Sequence, residues 1–237
     1  MPLASGAYVI TGSARGMGLE LVTQFLSSGH TVVAASRHAV SSSTLNTLAA
    51  SQSGERLVIL DCDVGSTRSV ERFGVEIRKY VSSVDVLINN AGISQELPNE
   101  DVSNVQPSSI LDHVNINVIG TLLIAQTIAP LFHTGSKMIN ISSMCASLDL
   151  APRRPIPNVV GYSISKAALN MLTVKQAMFY KDCVVVAVDP GNVKTDMNPD
   201  ATNSVETVVG SLRKVVEGLS SEDSGSFVSW EGEKLSW

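Results

Sequence analysis

Tyr162 and Lys166 stand four residues apart in Tyr162-Ser163-Ile164-Ser165-Lys166, which puts a phenol and an ammonium on one face of a helix. A phenol alone titrates near ~10 and is a poor acid–base at neutral pH, but a neighbouring cation lowers that value by ~1–3 units. Each unit is worth ~1.36 kcal/mol, so the lysine could poise the tyrosine for proton transfer. A second hydroxyl comes from Ile139-Asn140-Ile141-Ser142-Ser143, where either serine could meet a ligand and the register favours Ser143. Asn115-Ile116-Asn117-Val118-Ile119-Gly120 sets two amides in an apolar run, where they are costly unless hydrogen-bonded. Taken alone, Asn117 reads as a satisfied core amide.

A dinucleotide would suit the remaining unusual residues. Thr11-Gly12-Ser13-Ala14-Arg15-Gly16-Met17-Gly18 joins a strand-like run to an apolar helix. Glycines allow close approach, and the helix start offers N–H donors and a positive dipole to a phosphate. The second strand ends Ser36-Arg37, where an NAD site would carry an acid for the ribose 2′-hydroxyl. Arg37 and Arg15 together suit a 2′-phosphate, which predicts a preference for NADP(H) over NAD(H). Asp63 and Val64 could meet adenine, with a helix cap as the alternative for Asp63. Asn89, Ala91 and Gly92 could line the cofactor ribose, although Asn89 could equally tie two strands together.

Positioning these groups requires strands that end where the groups begin. Strand runs are expected at Tyr8–Thr11, Thr31–Ala35, Leu57–Leu60, Val84–Ile88, Lys137–Ile141, Val184–Val188 and Ser226–Val228, most of them too continuously apolar to have a wet face. Helical spacing appears near 16–28, 66–82, 107–133, 160–180 and 204–219, with a weaker helix at 42–51. Strand alternating with helix predicts an α/β, Rossmann-type doubly wound parallel sheet of about seven strands with helices on both faces, whose ligands sit at the strands' carboxyl ends. The 237 residues suit one domain spanning 1–237, and 44 % apolar against 16 % charged residues supports a large core. A net charge of -5 without a basic cluster argues against nucleic acid or an anionic membrane as a partner. Cys62, Cys145 and Cys183 have no metal spacing and read as free thiols in a reducing compartment; no metal is expected. No signal peptide is evident at the start, and the expected location is the cytoplasm. Val114 to Phe132 fits a buried helix better than a membrane span.

Thr11–Gly18, Asp63, Asn89–Gly92, Asn117-x-x-Gly120, Ser143, Tyr162–Lys166 and Asp189-Pro190-Gly191 occur in one order along the chain. In that order the sequence resembles the short-chain dehydrogenase/reductase family over essentially its whole length. The resemblance implies that Tyr162 is the general acid–base, that Ser143 bonds the substrate oxygen, and that Lys166 lowers the tyrosine pKa and holds the nicotinamide ribose. It implies that Asn117 supports a water relay to Lys166, and that Pro190, Gly191, Val193 and Thr195 flank the nicotinamide carboxamide. Ser143 and Tyr162 are nineteen apart, longer than the family's common spacing, and the extra residues fall within Leu148–Val159. That insertion, and the ending Gly225-Ser226-Phe227-Val228-x-x-Glu231-Gly232-x-x-Leu235-x-Trp237, resemble the carbonyl reductase, sniffer and C-signal-like branch.

The expected activity is hydride transfer between nicotinamide and a small or medium carbonyl or alcohol: a ketone, aldehyde or quinone. Met144, Cys145, Leu150, Asn192 and Met197 would shape the substrate mouth, and Arg153 or Arg154 could serve as a charged clamp. Two other readings stand beside it: a cofactor-binding regulatory or signalling protein on the same scaffold, and an NAD-linked alcohol dehydrogenase or epimerase. Intact Ser143, Tyr162 and Lys166 disfavour the first, and Ser36-Arg37 the second. The family also implies a homodimer or homotetramer, joined through the helices that carry Asn117 and Tyr162.

Overall fold

Seven runs of mostly β-branched residues pair side by side, all parallel, in the order β3-β2-β1-β4-β5-β6-β7. The computed structural model describes residues 6–51, 56–95, 100–153 and 158–237. The strands are β1 (Ala7–Thr11), β2 (Thr31–Ser36), β3 (Leu57–Asp61), β4 (Val84–Asn89), β5 (Phe132–Ile141), β6 (Val184–Asp189) and β7 (Phe227–Ser229). The order runs outward from β1 in one direction and from β4 in the other. The chain therefore reverses its winding between β1 and β4, and a crevice opens at their carboxyl ends.

Both faces of the sheet are covered, which is why the strands carry no polar alternation. On one face Ile10, Val32, Val186 and Val188 meet Leu21, Phe25, Leu212 and Val216. These last four belong to α1 (Gly16–Ser27) and α7 (Val205–Gly218), joined there by Leu45 of α2 (Ser43–Ser51). On the other face Val9, Val33, Leu87 and Val185 meet Val70, Phe73 and Ile77 of α3 (Thr67–Ile77) and Ile124 and Ile128 of α5 (Thr121–Ile128). A buried leucine or phenylalanine contributes ~1.5–3 kcal/mol relative to exposure, so the two clusters dominate the stability.

The expected helix at 107–133 is not continuous. It begins as α4 (Pro107–Val114), widens into a π turn at Asn115–Gly120, resumes as α5 and closes with a 3-10 turn at Ala129–Leu131. Residue 132 already opens β5, so that strand starts five residues before the expected Lys137, with a register shift between Val84 and Val86 on its neighbour. The burial expected of this run is also corrected. It is long and apolar enough to cross a membrane by length and composition, yet only 33 % of its most apolar window is buried in the chain. Its outer face carries Leu111 and Ile119 into solvent, while its inner face packs on the sheet through Ile124 and Ile128. Helix α3 stops at Ile77, short of the expected 82, and its start is capped by Ser66, whose hydroxyl accepts from the Ser69 N–H. The last long helix, α6 (Val160–Phe179), matches its expectation closely.

Candidate active site

Helix α6 starts at the carboxyl ends of β4 and β5, and its first turns carry the phenol and the ammonium. Lys166 is only 4 % exposed, and its Nζ donates to the Ile141 carbonyl at the tip of β5, 2.7 Å away. That amine lies 5.6 Å from the centre of the Tyr162 ring. Burial alone pushes the Lys166 ammonium down to about 8. The amine therefore still holds its proton at neutral pH, in surroundings that screen it poorly. A cation in that condition has its largest effect on an adjacent phenol.

The two serines after β5 separate cleanly. Ser142 is fully buried and donates to Asn170 Oδ1 inside the protein. Ser143 stands beyond it, its Oγ accepting from the Cys145 N–H at 3.2 Å. Only Ser143 therefore remains at the strand tip with its hydroxyl proton uncommitted to the core. The next amide, Met144 N, donates to Asp189 Oδ1 at the end of β6, which ties the two strand tips together.

Asn117 lies in the π turn and is completely buried. Its Oδ1 accepts from Ile93 N at 2.8 Å, and its Nδ2 donates to Ile93 O at 3.0 Å and to Ser165 Oγ at 2.9 Å. The wide turn thus spends the amide on the chain beyond β4 and on α6. A π turn inside an α-helix is rare and frequently marks a functional site.

The glycine loop between β1 and α1 is shaped for close approach. A Cβ on Gly18 would fall 2.2 Å from Gly12 O and 2.6 Å from Asn90 Nδ2. Gly12 and Gly16 adopt φ of 67° and 54°, a left-handed region that strains any other residue. Asn90 braces the loop: its N–H reaches Thr11 Oγ1 and its Nδ2 reaches the Thr11 and Gly12 carbonyls. Two buried hydroxyls at the strand tips, Ser13 Oγ and Ser36 Oγ, have no partner among the described residues. Buried hydroxyls without partners cost free energy unless a ligand satisfies them. Together with the bare glycines and the start of α1, they fit the ribose and phosphates of a dinucleotide, held by Gly12, Ser13, Gly16, Met17 and Gly18.

Other expected cofactor residues are distributed unevenly. Arg37 is exposed just past Ser36, where His38 turns the chain with φ 57°. Arg15 extends from the glycine loop to Asp196, 2.9 Å away, and Gly16 faces the methyl of Thr195. Asp63 Oδ1 accepts from Gly65 N, a local turn, and Val64 is buried against Gly120. Asn89 donates to Asn140 Oδ1 between β4 and β5, so its amide is a strand tie rather than a wall of the trough. Ala91 N reaches Thr11 Oγ1, and Gly92 brings its backbone so close that a Cβ would meet Asn117 Oδ1 at 3.0 Å and Lys166 Nζ at 3.5 Å. Pro190 and Gly191 follow β6. Gly191 has φ 70°, and Trp230 Nε1 would stand 2.8 Å from a Cβ there. Val193 is buried and bridges Asn203.

Around the mouth, Met197 is exposed, Asn192 Oδ1 accepts from Asn198, and Leu150 N donates to Ser147 Oγ; Cys145 is partly buried. The described part of the insertion holds a 3-10 turn at Ala151–Arg153, where Arg153 pairs with Asp149 at 2.6 Å. Arg154, the other clamp candidate, lies outside the described residues. Sequence reasoning missed Asn90, Asp189, Trp230 and His113 as parts of the site. Of these Asn90 and Asp189 had a visible signal, their places in Asn89-Asn90-Ala91-Gly92 and Asp189-Pro190-Gly191.

Comparison with known proteins agrees with this geometry. A family model of short chain dehydrogenases matches residues 7–206. An uncharacterised oxidoreductase of Schizosaccharomyces pombe is 34 % identical over 99 % of both chains. The NADPH-bound carbonyl reductase from chicken fatty liver superposes with a TM-score of 0.87 at 30 % identity, over 100 % of both chains. The carbonyl reductase sniffer of Drosophila melanogaster gives 0.87 at 26 % identity, over 99 % of this chain and 100 % of its own. With the strand order, the glycine loop and the Tyr162–Lys166 turn in place, the chain belongs to the short-chain dehydrogenase/reductase family of oxidoreductases, in the neighbourhood of the carbonyl reductases and sniffer.

Proposed function

We propose that the protein is an NADP(H)-dependent carbonyl reductase, interconverting a small or medium ketone, aldehyde or quinone with its alcohol. The observation that carries this reading is the buried Lys166 amine, 5.6 Å from the Tyr162 ring at the tip of β5. The NADPH bound by the chicken carbonyl reductase supports the choice of cofactor. So do the unpartnered Ser36 hydroxyl and the adjoining Arg37.

A bound nicotinamide supplies the hydride. As the substrate carbon gains its new C–H bond, the C=O π pair moves onto oxygen, and that oxygen takes the phenolic proton of Tyr162. The phenolate left behind is stabilised by the Lys166 ammonium through the poorly screened interior. Ser143 donates its hydroxyl to the substrate oxygen as charge develops there, a preplaced dipole that needs no reorganisation. Asn117 holds Ile93 and Ser165, and so fixes the wall opposite Lys166. In the oxidative direction the same groups run in reverse, with the phenolate taking the alcohol proton.

Two substitutions test the proposal. Tyr162→Phe should lower kcat by ~10²–10⁴-fold, the usual worth of a positioned acid–base, with NADPH affinity within about twofold of wild type. Turnover at the wild-type rate would remove the phenol from the chemistry. Arg37→Asp should weaken NADPH by ~10–100-fold while leaving NADH nearly unchanged, as expected for loss of a charge-assisted bond to a phosphate. An unchanged ratio of the two affinities would refute the NADP(H) assignment. The working place is the reducing cytosol, a reading supported by three cysteines of which none forms a disulfide. The working form is a homodimer or homotetramer, supported by the apolar outer face of α4 and α6.

A further inference from the structure

We infer that His113 is a positioning residue for this reaction, fastening the chain beyond β4 and the helix turn that carries Tyr162 into one wall of the active site. The inference rests on the carbonyl reductase reading above and adds a residue to it. His113 closes α4 and is 1 % exposed. Its Nδ1 lies 2.7 Å from the Ser109 carbonyl, and its Nε2 lies 3.1 Å from the Gln95 amide nitrogen. A carbonyl can only accept and a backbone N–H can only donate. The proton therefore sits on Nδ1, and Nε2 offers a lone pair to Gln95.

Asn117 lies four residues on and does the same for Ile93, holding both its N–H and its carbonyl. Two side chains one helical turn apart thus grip alternate residues of a single segment beyond β4. That segment begins at Gly92, where a Cβ would press on Asn117 Oδ1 at 3.0 Å. Any drift of residues 93–95 would be passed to Gly92 and from there towards Lys166.

The other side of the imidazole touches α6. A Cβ on Gly161 would fall 2.9 Å from His113 Nδ1 and 3.5 Å from Ile110 Cα, so α6 reaches α4 only because a glycine precedes the catalytic tyrosine. The Tyr162 ring then stands edge-on to the imidazole, at 75° and 6.5 Å between centres. Ser109 is itself anchored, its hydroxyl donating to the buried Glu100 at 3.2 Å. The imidazole therefore touches the Ile93–Gln95 wall at Gln95 and the phenol-bearing turn at Gly161 and Tyr162, alongside Asn117, which joins Ile93 to Ser165.

Three substitutions separate this role from simple filling of space. His113→Gln can place its Oε1 where Nε2 was and still accept from Gln95. His113→Asn keeps a donor near the Nδ1 position but cannot reach Gln95, and His113→Phe fills the volume with neither. The expected result is kcat close to wild type for the glutamine variant and roughly tenfold lower for the other two, as for a buried N–H left without its acceptor. NADPH affinity should stay within about twofold throughout. Equal kcat in all four folded proteins would overturn the inference, as would parallel losses of kcat and NADPH affinity in all three variants. If wild-type protein with NADPH reduces none of a set of ketones, aldehydes and quinones, the carbonyl reductase reading fails by itself. The grip is then still read by backbone amide exchange in the wild-type protein with NADPH bound. Protection of Gln95 comparable to Ile93 supports it, and fast exchange at Gln95 alone refutes it.

Discussion

Lys166 is held in its place against its own solvation preference. The ordinary lysine value of 10.5 falls to about 8 through burial, with no carboxylate among the described residues beside the amine to compensate. Below pH 8 the folded and unfolded chains both carry the proton, so folding must strip water from an ammonium. Between 8 and 10.5 the folded chain has released that proton and the unfolded chain has not, so the penalty fades as pH rises through this window. At ~1.36 kcal/mol per unit the penalty at neutral pH is ~3 kcal/mol, partly offset by the bond to the Ile141 carbonyl. Lys166→Met should therefore raise the stability of the cofactor-free protein by ~1–2 kcal/mol at pH 7 while cutting turnover by two orders of magnitude or more. Denaturant titrations at pH 7 and above 10 provide the check: the gap between variant and wild type should close at the higher pH. Tyr8 and Cys62, both pushed up to about 12 by burial, titrate alike in the two proteins and drop out of the difference. A variant less stable than wild type at pH 7 would contradict this. Such residues are legible in sequence by type and spacing. Lys166 could be named from Tyr-x-x-x-Lys, but its depth could not, because burial depends on β5 and α4 closing over it.

At the scale of elements the same limit appears in the helix that carries Asn117. Its apolar periodicity from 107 to 133 was visible, and nothing in that pattern marked the π turn. The turn forms because Asn117 must reach Ile93 while Gly120 and Gly65 let the helix lie against the β3–α3 connection. A Cβ on Gly120 would meet Val64 O at 2.9 Å, and one on Gly65 would meet Ile116 Cδ1 at 2.5 Å. Gly120→Ala should then destabilise the protein by ~1–3 kcal/mol, the usual cost of overpacking against a backbone that cannot retreat. It should also lower kcat/KM by moving Asn117 from Ile93. Gly218→Ala is the matched control, since a Cβ there meets nothing within 4 Å. That change should be neutral or stabilise by ~0.4–1 kcal/mol. Thermal melts of both variants decide the matter, and similar effects at the two positions would mean that the close approach at Gly120 carries no weight. The early start of β5 was hidden for a related reason. Residues 132–136 pair only through a register shift, with Gly135 at φ 89°, so they show no strand alternation.

The whole-molecule architecture was the most legible level. Seven apolar runs separated by helical ones leave few alternatives to a doubly wound parallel sheet, and the chemically unusual residues fell at the strand ends as that topology requires. What a single chain's pattern could not divide was burial within the molecule from burial against another copy. Helix α6 leaves Ile164, Met171 and Met178 exposed at intervals of seven residues, and Phe179 beside them, while α4, packed on α6, exposes Leu111. A stripe of that period would suit a seam with a helix of a second copy, the homo-oligomer proposed above. In a twofold pair each residue of the seam is buried twice. At ~1.5–3 kcal/mol per buried side chain, removal of one methionine should weaken a dimer by ~3–6 kcal/mol, or ~10²–10⁴-fold in dissociation constant. Met171→Glu should accordingly sediment as a monomer at micromolar concentrations where the wild-type protein sediments as a dimer or tetramer, with unchanged secondary structure. The seam begins at Ile164, between Tyr162 and Lys166 on the same helix. Loss of the partner copy should therefore also free the turn that carries the phenol, and specific activity of the wild-type protein should fall on dilution below its dissociation constant. A wild-type protein that stays monomeric at tens of micromolar, with activity independent of dilution, would leave the stripe without a second copy as its cover.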